Sequence, residues 1–141
     1  MTTASTTSHD TLSNKRLMQS VFDELSRGNG RPLIDAMADD FAWIIPGHAT
    51  WSREYRGKQV VREQLLKPLF ERFATTYTSR AHRFIAEDDY VVVETRGDVM
   101  TKSGKRYDNT YCLVCRLDSG KLRELTEYMD TELAAEVLGA P

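Results

Sequence analysis

From residue 78 onward the chain alternates apolar and polar residues in four stretches, 78–87, 90–101, 106–117 and 121–130. The links between them are Asp88-Asp89, residues 102–105 with Gly104, and Asp118-Ser119-Gly120. A period of two marks strands with one buried face. Links this short cannot carry a crossover, so consecutive strands must lie antiparallel and form a meander.

Ahead of the meander the period is helical. Between residues 13 and 27, Leu17, Met18, Val21, Phe22 and Leu25 fall on one stripe, with Ser13 placed to cap the start and Gly28 to end it. A second short helix is expected near Pro32, burying Leu33, Ile34 and Met37. Residues 41–46 read as a short strand and residues 48–56 as a loop. A third helix opens at Gly57 and carries Val60, Val61, Leu65, Leu66, Leu69, Phe70 and Phe73. Pro68 lies inside it and removes a backbone donor, which predicts a kink or a new turn. A last short helix spans 131–138. Helices first and a meander last is an α+β order. A twisted, mostly antiparallel sheet curling over three N-terminal helices makes a cone-shaped barrel. An interior left unfilled is a site for a small apolar molecule, and the sheet's other face is free to meet a second copy.

A length of 141 residues suits one domain, read as residues 13–141 behind a Thr- and Ser-rich tail over residues 1–12 that is expected to be flexible. A net charge of −2 without a basic block argues against nucleic acid or an anionic membrane as partner. No stretch has the length and apolarity of a membrane span, and residues 1–10 lack the pattern of a signal peptide, so a cytoplasmic protein is expected. Cys112 and Cys115 are three apart on a strand and so point to opposite faces, which suits packing rather than a redox pair or a zinc site. No metal-ligand spacing appears among the histidines.

Three segments carry a resemblance: Phe84-Ile-Ala-Glu-Asp-Asp-Tyr-Val-Val-Val-Glu94, Gly104-Lys-Arg-Tyr-Asp-Asn-Thr-Tyr111 and Gly120-Lys-Leu-Arg-Glu-Leu-Thr-Glu-Tyr-Met-Asp130. Together they resemble the nuclear-transport-factor-2-like superfamily over roughly residues 13–138. That superfamily includes ketosteroid isomerase, SnoaL-like polyketide cyclases and limonene epoxide hydrolase. The resemblance implies the conical α+β fold and commonly a homodimer. Within it, Arg96 and Asp98 fall where limonene epoxide hydrolase has an arginine and an aspartate two apart, and Glu127 falls where it has the second aspartate. Two positions differ. Glu127 is one methylene longer than that aspartate, and the stretch Ala42-Trp43-Ile44-Ile45 stands where the water-holding Tyr and Asn would be.

These residues can be read two ways. In one, Arg96 sits between Asp98 and Glu127 inside the cavity, and the paired carboxylates supply an acid and a base. In the other, Glu94, Arg96 and Asp98 form a solvated or dimer-facing strip. Glu127 stands out by itself, because Leu125 and Met129 flank it on an otherwise apolar face and a lone carboxylate there is costly. His82 shares its face with Phe84 by alternation and is a candidate base or donor if it points inward. Asn109 and Tyr111 are candidates to hydrogen-bond a substrate oxygen or to satisfy each other. Met100, Leu125, Met129 and the Trp43 ring complete the expected apolar wall. Carboxylate acid–base chemistry of this kind calls for no cofactor. The sequence therefore points first to an isomerase, cyclase or epoxide hydrolase acting on an apolar cyclic compound, and second to a non-catalytic ligand-binding or dimerisation module of the same shape.

Overall fold

A computed structural model describes the backbone of residues 3–141 and the side chains from Asp10 onward. Helix α1 (Thr3–Leu25) starts well before Ser13. Met1 and Thr2, within the expected tail, lie outside the described residues. Residues 3–12 contain neither Gly nor Pro, so nothing stops the helix from extending through them. Thr11 also donates to the carbonyl of Asp88 at 2.7 Å, tying this part of the helix to a sheet turn. The apolar stripe lies as its spacing predicts, with Met18, Val21, Phe22 and Leu25 buried.

After α1 the chain forms α2 (Arg31–Ala36), with a proline in its first turn, and β1 (Met37–Ile45). The segment expected to be a loop contains β2 (Arg53–Arg56), which pairs antiparallel with β1 and sets Tyr55 beside Trp43. The third helical stretch is three pieces: α3 (Lys58–Val60), a π-helical segment (Val61–Leu66) and α4 (Lys67–Phe70). Pro68 starts the new turn of α4, and the Lys67 N–H reaches back five residues to the Arg62 carbonyl.

The meander is β3 (Thr78–Glu87), β4 (Tyr90–Asp98), β5 (Thr110–Asp118) and β6 (Lys121–Met129). The β5–β6 turn has Ser119 and Gly120 both at positive φ, the twist that suits a two-residue hairpin. Strand β1 joins β6 in parallel, so the sheet runs β2-β1-β6-β5-β4-β3. It is open, with β2 and β3 at its edges, so the cone is a curved sheet closed off by helices rather than a complete barrel. Helix α5 (Thr131–Leu138) follows β6, capped by the Asp130 side chain accepting from the Leu133 N–H at 3.1 Å.

Strand β4 alternates cleanly, with Val91, Val93, Thr95 and Gly97 buried and Arg96 and Asp98 exposed. The regular ladder with β5 stops at Arg96, and residues 99–109 make a wider excursion held by the Met100–Arg106 bridge. This excursion brings Tyr107 against Phe73, with ring centroids 6.4 Å apart. Gly97 matters for the same region. A Cβ there would lie 2.8 Å from the Tyr77 hydroxyl, and the Tyr77 ring is itself stacked on Phe73 at 5.6 Å. Gly97→Ala is expected to lose about 1–3 kcal/mol through this overlap, read by urea unfolding. A Gly97→Ala protein as stable as the parent would show that the ring is free to move aside.

Candidate active site

The helices and the concave side of the sheet enclose a cavity of about 330 Å³. Its walls come from α1 and α2 (Phe22, Leu33), the π-helical segment and α4 (Leu65, Phe70), and the sheet (Leu113, Leu125). Tyr77, Tyr107, Tyr111, Trp43 and Glu127 complete the wall, and the Ser79 and Thr95 hydroxyls bond each other at 2.6 Å. Among the described lining residues no Lys, Arg or His appears. Glu127 is the one carboxylate.

Glu127 sits on β6 opposite Leu113 of β5. It is partly exposed, but to the cavity that it lines, with protein packed around it. Parallel pairing sets Trp43 of β1 beside Leu125 of β6, one step of alternation from Glu127. From there the Trp43 indole N–H donates to the Glu127 carboxylate at 3.0 Å. Burial pushes the Glu127 carboxyl up to about 7, and the Trp43 hydrogen bond offsets this only in part. A group that titrates there can both take and give a proton near neutrality.

The tyrosines behave differently. Burial raises Tyr77, Tyr107 and Tyr111, and the nearby Glu127 charge adds to each. They therefore keep their O–H protons through the whole range in which Glu127 titrates, and they are donors of fixed protonation.

Several expected site residues are elsewhere. Arg96 and Asp98 face away from the cavity, and Asp98 pairs with Arg106 on the outside. Strand parity decides this, because Val91, Val93 and Thr95 take the inner face of β4. His82 is also outside, 3.7 Å from Glu94. The β3–β4 register slips between Ala81 and Arg83, so His82 is the extra residue of a bulge and alternation fails there. Met100 lies past the end of β4, where its carbonyl accepts from the Ala74 N–H at 2.8 Å. Asn109 is buried but fully used: it donates to the Tyr107 hydroxyl at 3.0 Å and the Asp130 carbonyl at 3.1 Å, and accepts from the Thr110 N–H at 2.8 Å. Met129 stands behind the main cavity, its sulfur 3.8 Å from the Tyr107 hydroxyl. Glu127, Trp43, Tyr111 and Leu125 are the expected residues that the fold brings together.

Two tyrosines of the wall, like the Ser79–Thr95 pair, are not among the residues that the sequence singles out. Tyr107 shares the parity of Asn109 and Tyr111 and was findable on that ground. Tyr77 precedes β3 in an irregular link, and no pattern marks it.

The raised carboxyl makes a prediction about stability. A folded-state pKa above the ordinary value of 4.5 gives stability that is complete below 4.5 and is lost as pH rises through about 7. The loss is about 3 kcal/mol at full ionisation. Glu127→Gln keeps an acceptor for Trp43 and cannot ionise. It should match the parent at pH 4.5 and exceed it at pH 8 in urea unfolding. Identical pH slopes for the two proteins would mean that the carboxyl is already well solvated.

Comparison with known proteins gives the family. Residues 18–125 match the SnoaL-like domain. No curated protein matches the chain. Among solved structures, Bal32a from a soil-derived mobile gene cassette superposes with a TM-score of 0.77 at 18% identity, covering 92% of this chain and 98% of that one. A candidate SnoaL-like polyketide cyclase from Jannaschia sp. CCS1 gives 0.73 at 20% identity, covering 92% and 94%. TerC, co-crystallised with polyporic acid, gives 0.74 at 16% identity, covering 91% and 99%. At these identities the structures speak for the fold, the nuclear-transport-factor-2-like cone. With the domain match spanning most of its length, the chain belongs to the SnoaL-like domain family.

Proposed function

We propose that this protein is a small-molecule enzyme that moves a proton on an uncharged, largely apolar cyclic compound, with Glu127 as the acid–base group. The observation that carries the reading is a single carboxyl poised near neutrality in an apolar cavity without a cation. As base, Glu127 takes a proton from a carbon next to a substrate carbonyl, and the C–H electrons pass into the enolate. Tyr77 or Tyr111 donates a hydrogen bond to that oxygen. The carbanion then either attacks a second carbonyl, closing a ring and leaving an alkoxide that takes the proton back from Glu127, or, where a C=C bond is conjugated with the enolate, takes that proton back from Glu127 at another carbon. Both routes balance without a redox partner. Cyclisation or isomerisation is favoured over epoxide opening, which draws on Arg96 and Asp98 beside the carboxylate, and these face outward. The cyclase assignment suggested for the Jannaschia neighbour and the polyporic acid held by TerC fit a ring-sized apolar ligand.

A second copy is proposed to pack on the outer face of the sheet, where Ile85 and Tyr128 are each about half exposed. Sedimentation should show a dimer that Ile85→Glu or Tyr128→Glu dissociates. An unchanged mass in both variants would place any contact elsewhere.

The activity test is a panel of uncharged cyclic enones and polyketones. Turnover of a responsive compound should rise with a midpoint near the Glu127 titration and fall by about 10²–10⁴ in Glu127→Gln. A Glu127→Gln protein that turns such a compound over at the parent rate ends the acid–base reading. Compounds that bind equally to both proteins and are never converted would favour a ligand-binding module.

A further inference from the structure

Behind Glu127, away from the main cavity, lies a small void of about 30 Å³. Tyr107, Tyr111 and Glu127 border both spaces. Trp51 and, from α5, Ala134 and Leu138 line the void but not the main cavity. Helix α5 is amphipathic, with Ala134 and Leu138 buried and Glu132 and Glu136 exposed, so its apolar face lines this void and its acidic face meets solvent.

What holds α5 there is concentrated at its C-terminal end. The Arg72 guanidinium donates to the Leu138 carbonyl at 2.8 Å, to the Pro68 carbonyl at 2.6 Å, and to the Ala140 carbonyl. It lies over the Trp51 ring, 5.1 Å from the centroid. The Trp51 indole N–H donates to the Gly139 carbonyl at 2.6 Å. Two side chains thus take three successive carbonyls at the end of one helix. Among the described residues no carboxylate pairs with Arg72. Its charge is met by carbonyl dipoles that would otherwise need water, which favours a cation at a helix C-terminus.

We propose that Arg72 and Trp51 are positioning residues for Glu127: by pinning residues 138–140 they hold α5 as the rear wall that keeps water from the carboxyl. This rests on the reading of Glu127 as the acid–base group. The groups that face Glu127 from the neighbouring elements are the Trp43 indole from β1, Tyr55 from β2, Tyr77 ahead of β3, Tyr107 ahead of β5 and Tyr111 of β5. None of them changes charge near neutral pH, so access of water is the lever that remains. A wall that lifts admits water to the carboxyl and favours its ionised form.

The experiment follows the Glu127 carboxyl carbon by NMR in protein labelled with ¹³C-glutamate, with Glu127→Gln for assignment. The parent, Arg72→Met, Arg72→Lys and Trp51→Phe are compared. In Arg72→Met the midpoint should fall by about one pH unit or more as water enters. Trp51→Phe keeps the ring and loses one hydrogen bond, so it should give a smaller fall in a protein that still folds. Arg72→Lys keeps the charge and should recover part of the parent value. Stability gives a parallel readout: Arg72→Met should lose more at pH 5 than at pH 8, whereas a purely structural clamp costs the same at both. Midpoints unchanged in Arg72→Met and Trp51→Phe, with the parent near neutrality, overturn the rear-wall role alone. A parent Glu127 that titrates in the ordinary carboxylate range overturns the acid–base reading beneath it.

Discussion

The hydrogen bond from Trp43 to Glu127 is the point at which the carboxylate of the cavity wall meets a donor from the protein. It spans from β1 to β6, and it exists because those strands pair in parallel despite lying far apart in sequence. A carboxylate left alone in hydrocarbon would be driven fully to its neutral form, and one given several donors or a cation would ionise completely. One indole leaves it between these limits. The geometry of the whole sheet can be read as the support for that intermediate condition: β2 backs β1, β5 sets Leu113 against Glu127, and the hydroxyls of three tyrosines stay neutral around it.

The inner and outer sides of the sheet divide the polar chemistry sharply. The outer side holds the ion pairs, Arg83 with Glu94 at 3.2 Å and Arg106 with Asp108 at 2.8 Å. Such exposed pairs contribute little stability each. Among the described residues the inner side holds one carboxyl with no countercharge, where each contact weighs more because water is excluded. A charge pattern on the sequence can therefore look richest where it matters least.

That division also explains what the sequence made legible. Alternation and short links sufficed for the meander, and the helical stripe of α1 is buried as its spacing implied. Glu127 was legible because a carboxylate between Leu125 and Met129 breaks an apolar pattern. Of the two readings of Arg96 and Asp98, the pattern of β4 favours the outward one: Val91, Val93 and Gly97 make the odd face the less polar one. His82 could not be placed by parity at all, since a bulge adds a residue without leaving a mark in composition. Tyr77 enters the cavity from an irregular link, and the space for its ring comes from Gly97 on another segment. Only the folded backbone joins those two facts. The π-helical segment was hidden for a related reason, since its residues read as an ordinary apolar helix.

That segment has a consequence for how the cavity's width is set. Leu65 and Leu66 reach the chamber from the segment itself, and Leu69 and Phe70 from the turn that follows it. Their direction depends on the wider turn just upstream, where the backbone holds one residue more per turn than an α-helix. Removing one residue from 61–66 would rotate Leu69 and Phe70 by roughly 100° and swing them off the chamber. The phase of a helix, and not only the bulk of its side chains, thus governs the size of guest that fits. A single insertion or deletion could retune the enclosure while every strand keeps its register.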